Sequence, residues 1–271
     1  MTKKAVNISI AVLLGIATLC AAGLAVYAFS AKQQREQFDT LSQSFWDEAP
    51  ISKAPSASVK ESSSGQLDAA RLESLALLKE QNSDLAGWIY IPGTAVNYPV
   101  MQTPDDPEFY IKRNFEKKYS SGGVPFADAR CSVSPPSANL VIYGHNMKDG
   151  SMFSDLEKYK TREYYTEHPD FYFYTPSGAH KYQIIGAIQT SVYNDEKFDF
   201  YSFIENSDEN TLAEYVKKVQ DEALYPLNVA IPENGRLITL STCSYHEKNG
   251  RFLVIGVRIE DNSPLQISGI K

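Results

Sequence analysis

From Ala5 to Ala31 the chain reads AVNISIAVLLGIATLCAAGLAVYAFSA, 27 residues without a charge. A water-facing surface cannot be made from such a run, so its length decides where it can go. The hydrocarbon core of a bilayer, about 30 Å thick, takes roughly 20 apolar helical residues, and this segment is long enough to span it. Lys3 and Lys4 precede it, which by the positive-inside rule places the N-terminus in the cytoplasm. Lys32 and Arg35 on the other side weaken that asymmetry, although Glu36 and Asp39 accompany them. The competing reading is a cleaved signal peptide, with small residues at Ala28 and Ser30. Signal peptides carry an apolar core of about 7–15 residues, shorter than this one. The expectation is a cytoplasmic stub at residues 1–4, a single-pass signal-anchor at 5–31, and everything after residue 31 outside the cytoplasm.

Residues 32–66 are polar, and the tract PISKAPSASVKESSSGQ at 50–66 is almost free of large apolar side chains. It reads as a flexible stalk that holds the next domain off the membrane. The remainder, 67–271, is 205 residues by subtraction and suffices for one domain with a real core. It opens with LDAARLESLALLKEQN, where Leu72, Leu75 and Leu78 fall at helical spacing. From Gly87 the pattern changes to short runs rich in β-branched and aromatic residues. These are GWIYIPG, AVNYPVM, ANLVIYG, FYFYT, HKYQIIGAIQT, RLITLST and RFLVIGVRIE. Gly, Pro, Asn and Asp punctuate them, and helices do not alternate regularly with them. That pattern predicts a mainly β fold of seven or eight strands in a barrel or sandwich, not a doubly wound sheet. Helical patterns interrupt it at 150–169 and 207–224. The second opens with a Ser/Asp cap and carries Leu212, Tyr215, Val216 and Val219 on one face.

The net charge of −7 offers no basic stripe for phosphates, which argues against nucleic acid as a partner. Three cysteines, at 20, 131 and 243, have neither zinc-site spacing nor the density of a disulfide framework. A pairing of Cys131 with Cys243 is open at this stage. Carboxylates between 194 and 210 lack the glycine and terminal glutamate of an EF-hand loop, so no metal and no cofactor is expected.

Cys243 ends an apolar run, and Arg251 begins the next one eight residues on, with Asn249-Gly250 between as a strong turn signal. A hairpin there returns the guanidinium beside the thiol. A nearby cation favours thiolate, and Arg offers five donors to a developing oxyanion. Read as structure alone, Cys243 is a buried small residue and Arg251 a solvated strand end. His145 follows a strand and Gly144, which lets the backbone turn and present the imidazole at a rim. His246 lies near Cys243 but in the hairpin loop, and His168 and His180 read as surface residues.

Taken together, NLVIYGHNMKDGSMFSDLEKY and ITLSTCSYHEKNGRFLVIGVRI resemble the histidine motif and the TLxTC-plus-arginine signature of class B sortases. GWIYIPGTAVNYPVMQ and YIKRNFEKKYSSGGVPFADAR are similar to the opening strands and early loop of that class, so the likeness covers about residues 70–260. The resemblance implies a closed β-barrel of about eight strands, an N-terminal helix, and a helix between the sixth and seventh strands. It implies Cys243 as nucleophile, His145 as general acid/base and Arg251 as stabiliser of the oxyanion or substrate. It also implies a membrane-anchored cysteine transpeptidase that cuts a C-terminal sorting motif of secreted proteins after Thr. The motif would be Asn-Pro-x-Thr-like or a variant. The acyl group would pass through a thioacyl enzyme to an amine of lipid II, peptidoglycan or a pilin. Ser241, on the same strand face as Cys243, is a candidate substrate contact. Two other readings compete. A papain-like cysteine peptidase places Cys before His in the chain, the reverse of the order here. A non-catalytic surface-anchored binding domain leaves the three coinciding motifs unexplained.

Overall fold

A computed structural model of the chain describes residues 3–46, 63–192, 197–207 and 210–259. Two compact units emerge, Met1–Leu41 and Ser42–Lys271. The first is built on helix α1 (Lys3–Trp46). Its leucines 13, 14, 19 and 24 and Phe29 are all more than 60% exposed, an apolar face that nothing in the unit covers. Among the described residues it is the one helix long and apolar enough to cross a membrane.

The second unit is a closed barrel of eight strands. They are β1 (Leu85–Tyr90), β2 (Asn97–Met101), β3 (Phe126–Ala127), β4 (Asn139–Tyr143), β5 (Asp170–Thr175), β6 (Gly178–Ser191), β7 (Leu237–Cys243) and β8 (Gly250–Ile259). Around the barrel they run β1-β2-β3-β4-β7-β8-β6-β5, and β5 returns to β1. All neighbours are antiparallel except β2 with β3 and β4 with β7. The expected mainly β barrel is therefore what forms. Closure removes every sheet edge, and fully buried β-branched and aromatic side chains such as Val141, Ile188, Phe252 and Ile255 make the core.

The seven strand-like runs all appear as strands. The eighth, β3, is two residues long and too short to carry any periodicity. Helix α2 (Ser63–Gln81) buries Leu75 and Leu78 as its spacing predicts, with Leu72 half-buried. The helical pattern at 150–169 becomes a 3-10 stretch, Ser154–Lys160, followed by the short α3 (Arg162–Glu167). Helix α4 (Leu212–Glu222) lies in the connection between β6 and β7 and buries all four residues expected on its inner face. Its cap is Thr211, not the earlier Ser/Asp pair. Thr211 and Glu214 form a reciprocal capping box that satisfies two backbone N–H groups at once. Gly186 in β6 lets α4 approach closely, since a Cβ there would lie 2.6 Å from Val219.

The barrel unit also contains the last turn of α1. The Phe45 ring lies flat on Trp88 of β1, with centroids 4.4 Å apart and planes within 4°. Asn97 Oδ1 accepts from both Trp46 Nε1 (3.0 Å) and Trp88 Nε1 (2.7 Å), and Asn97 Nδ2 donates to Ser42 Oγ (2.7 Å). Of the stalk expected at 32–66, residues 47–62 lie outside the described residues, whereas Ser42–Trp46 belong to the barrel unit.

Candidate functional site

The site forms where three strand ends meet. Parallel pairing of β4 with β7 sets Tyr143 opposite Ser241. The next residues continue this ladder with polar bonds. Gly144 N–H donates to Ser241 O (3.0 Å), and Thr242 Oγ1 donates to Gly144 O (2.8 Å). Asn146 Nδ2 donates to Cys243 O (2.8 Å). Antiparallel pairing of β7 with β8 sets Cys243 directly opposite Arg251. His145, Cys243 and Arg251, separated along the chain, thus line one groove of about 520 Å³ together with Ser241. The spacing argument for Cys243 and Arg251 holds. Its turn differs in detail: Asn249 alone takes the left-handed conformation (φ 59°), and Gly250 already belongs to β8. Glycine is needed at 250 because a Cβ would lie 2.4 Å from Ser244 O.

His145 Nε2 lies 2.7 Å from Ile111 O. A carbonyl only accepts, so Nε2 carries a hydrogen and Nδ1 is the ring nitrogen left to exchange a proton. Gly144 sets the ring's approach. A Cβ at 144 would meet the Phe153 ring at 2.5 Å, and Phe153 is fully buried, its N–H bonded to His145 O (2.9 Å). Gly144→Ala is expected to destabilise the domain by about 1–3 kcal/mol through overpacking. It is also expected to reduce kcat/KM by displacing His145. Melting curves and peptide turnover on the same preparation check both effects.

Cys243 and Arg251 are half-buried at the groove wall. Arg251 Nη1 donates to the carbonyls of Asn249 (3.3 Å) and Gly250 (3.0 Å), and among the described residues no carboxylate pairs with it. Ser241 Oγ is buried and has no hydrogen-bond partner among the described residues. Such an orphan in a groove wall is a donor and acceptor waiting for a partner.

The other thiols and imidazoles sort differently. Cys131 is free and buried, its Sγ 3.5 Å from Asn139 O at the opposite end of β4 from His145. Burial pushes its thiol up to about 11, which keeps it protonated. Cys243 is also free, so the two do not pair. His246 is held in the loop by Ser244 Oγ (2.9 Å) and Glu247 Oε1 (3.2 Å). His168 and His180 are half-buried, not surface residues. His168 Nδ1 bonds Pro92 O (2.8 Å) while its ring packs on Tyr164.

The groove wall also carries a cluster that the sequence did not single out. Arg130 forks onto Asp128 with bonds of 2.9 and 2.7 Å, and Tyr143 Oη donates to the same carboxylate (2.9 Å). Burial opposes ionisation of Asp128, but the bonds from Arg130 and Tyr143 outweigh it and hold the carboxyl below its ordinary range. The signal was present in FADAR, where an Asp and an Arg two apart follow a strand pair. Nothing local showed that they faced Cys243. Among the described residues, no group of three or more His, Cys, Asp or Glu side chains is arranged to hold a metal ion.

A family model described as the Sortase domain matches residues 89–259. Sortase B of Listeria monocytogenes is 33% identical over 182 residues, which is 66% of this chain and 71% of that protein. Sortase B of Staphylococcus aureus is 28% identical over 180 residues, with the same coverage of 66% and 71%. The crystal structure of a mutant form of Clostridium perfringens sortase B superposes with a TM-score of 0.69 at 25% identity, covering 83% of this chain and 97% of that one.

Proposed function

Since the chain belongs to the sortase family, as a class B cysteine transpeptidase, we propose that Cys243, His145 and Arg251 carry its chemistry. The observation that supports this most directly is the convergence of all three on one groove from the ends of β4 and β7 and the start of β8. The Cys243 thiolate attacks the carbonyl carbon of a substrate Thr, and a tetrahedral oxyanion forms. Arg251, with no carboxylate partner, offers its guanidinium N–H groups to that oxyanion or to substrate carbonyls. The C–N bond then breaks, and His145 Nδ1 gives its proton to the leaving amine. A thioester remains on Cys243. An acceptor amine attacks it, His145 takes the amine proton, and the C–S bond breaks to leave a new amide and the thiolate.

Ser241 Oγ is assigned to the substrate backbone, which would satisfy the orphan hydroxyl. The polypeptide substrate is a secreted protein with a C-terminal sorting motif, Asn-Pro-x-Thr-like or a variant. The acceptor is an amine of lipid II, peptidoglycan or a pilin. The exposed apolar face of α1 serves as a membrane anchor, with the barrel on the outer side.

The test is direct. The full chain is incubated with sorting-motif peptides, with and without an amine acceptor, and followed by mass spectrometry. The expected result is a thioacyl adduct on Cys243 that added amine converts to a ligated product. An adduct that only hydrolyses, indifferent to amine, would instead make this chain a peptidase. No adduct with any peptide would remove the acyl-transfer reading.

A further inference from the structure

Cys243 turns its backbone polar groups away from β8. In an antiparallel ladder, facing residues alternate between pairs that exchange hydrogen bonds and pairs that do not. Ser244 N–H donates to Gly250 O (3.0 Å), so the pair before it, Cys243 with Arg251, is one that does not. The Cys243 carbonyl therefore faces β4. In the parallel ladder of β4 with β7, donors and acceptors each step by two residues from rung to rung. Gly144 N–H on Ser241 O is one rung, so the next would be the N–H of residue 146 on Cys243 O.

The backbone does not make that rung. After Gly144 the chain leaves the sheet to bring His145 to the groove, and Asn146 pairs with Met152 in an isolated antiparallel bridge. The Asn146 side chain makes the rung instead, with Nδ2 donating to Cys243 O at 2.8 Å. A carbonyl only accepts, which fixes the amide with its nitrogen toward Cys243. The residue that makes this bond is itself held. Phe153 N–H donates to His145 O (2.9 Å) and Tyr245 Oη to Asn146 O (3.4 Å), so the peptide groups on both sides of Asn146 are anchored.

We propose that Asn146 is the positioning residue that sets Cys243 against His145, a role that rests on those two residues acting as proposed above. Asn146 is covalently joined to His145 and hydrogen-bonded to Cys243, so one side chain spans the pair. It does not line the groove and therefore acts through these neighbours. Without the bond, the end of β7 keeps its rungs to β8 but loses its tie to the turn that carries the imidazole. The thiol and the ring are then free to shift against each other, and a misplacement of about 1 Å costs on the order of 10²-fold in rate. The loss falls on bond making and not on peptide binding, because groove-lining residues such as Ile111, Val192 and Tyr201 come from other segments.

The full chain in detergent is compared with its Asn146→Ala, Asn146→Asp and Asn146→Gln variants in peptide turnover, in alkylation of Cys243 by iodoacetamide, and in melting. Asn146→Ala is expected to lower kcat by about 10–10²-fold while KM stays within about twofold. Alkylation needs a thiolate but no imidazole in register, so its rate should stay within a few-fold and report that thiol and fold persist. Asn146→Asp is isosteric and opens no cavity, but at neutral pH a carboxylate has no hydrogen to donate, so kcat should fall at least as far. Asn146→Gln keeps the donor on a longer arm and should recover part of the rate. An Asn146→Ala or Asn146→Asp variant with the kcat of the wild type would overturn the role. Parallel losses of kcat, alkylation and melting temperature in both would also overturn it, by making Asn146 a structural residue only. If the wild-type chain itself forms no thioacyl adduct, the transpeptidase reading fails and this role falls with it. Normal wild-type turnover beside an unaffected variant removes the role alone.

Discussion

Cys243→Ala is expected to remove the thioacyl adduct entirely and to lower ligation by on the order of 10⁴-fold or more, because among the described residues no other thiol lines the groove. The fold should persist. Cys243 is half-buried at a strand end, and deleting one sulfur there leaves no enclosed cavity. The partners should follow in order. His145→Ala is expected to cost about 10²–10⁴-fold, the range of a general acid/base. Arg251→Ala is expected to cost about 10²–10³-fold, the range of a removed oxyanion donor. His246→Ala should stay within a few-fold, since its ring is held by Ser244 and Glu247 in the loop and does not line the groove. Adding His145→Ala to Cys243→Ala should cause little further loss, because residues that act as one unit are not additive. Single-turnover mass spectrometry with a fixed peptide reads all five variants. A Cys243→Ala variant that still ligates would reassign the nucleophile.

The second large effect concerns stability, and it lies in a stretch the sequence placed in a stalk. Phe45→Ala is expected to destabilise the barrel unit by about 3–5 kcal/mol, the cost of deleting a fully buried aromatic ring. Phe45 is fully buried, stacked on Trp88 and edge-on to Tyr174. Net stabilities of single domains are about 5–15 kcal/mol, so this single ring decides a large share of the total. A chain begun at residue 67 lacks Phe45 and Trp46 and also leaves Asn97 without two of its partners. It should melt well below one begun at Ser42, and equal melting temperatures for the two would remove this role for the end of α1.

These two regions also show what can be read from a chain of this kind. The strands were legible because β-branched and aromatic runs ended at glycine, proline and asparagine. The inner face of α4 was legible because Leu212, Tyr215, Val216 and Val219 recur at helical spacing. Cys243 and Arg251 could be paired because a hairpin brings near residues together. His145 was harder, since its partner strand is parallel and far along the chain, and only the combined motifs pointed to it. Asp128, Arg130 and Asn146 were not legible. Their relation to Cys243 exists only through the β3–β4–β7 order, which local periodicity does not encode. Phe45 was missed for a similar reason. Phe38, Leu41 and Phe45 recur at helical spacing, but the partner that buries the Phe45 ring, Trp88, lies beyond the low-complexity tract, where local periodicity does not reach.

The parallel seam between β4 and β7 also carries a consequence for biogenesis. Asn146 and the Cys243 carbonyl it holds are 97 positions apart. Contacts of such long range form late, after the loop entropy between them has been spent. A chain emerging N-terminus first therefore presents its histidine long before its thiol. The two meet only when the last hairpin, β7–β8, has closed the barrel. On the roles proposed for Cys243 and His145, reactivity is thereby timed to the end of folding, and an unfinished chain is expected not to acylate itself on the peptides that surround it.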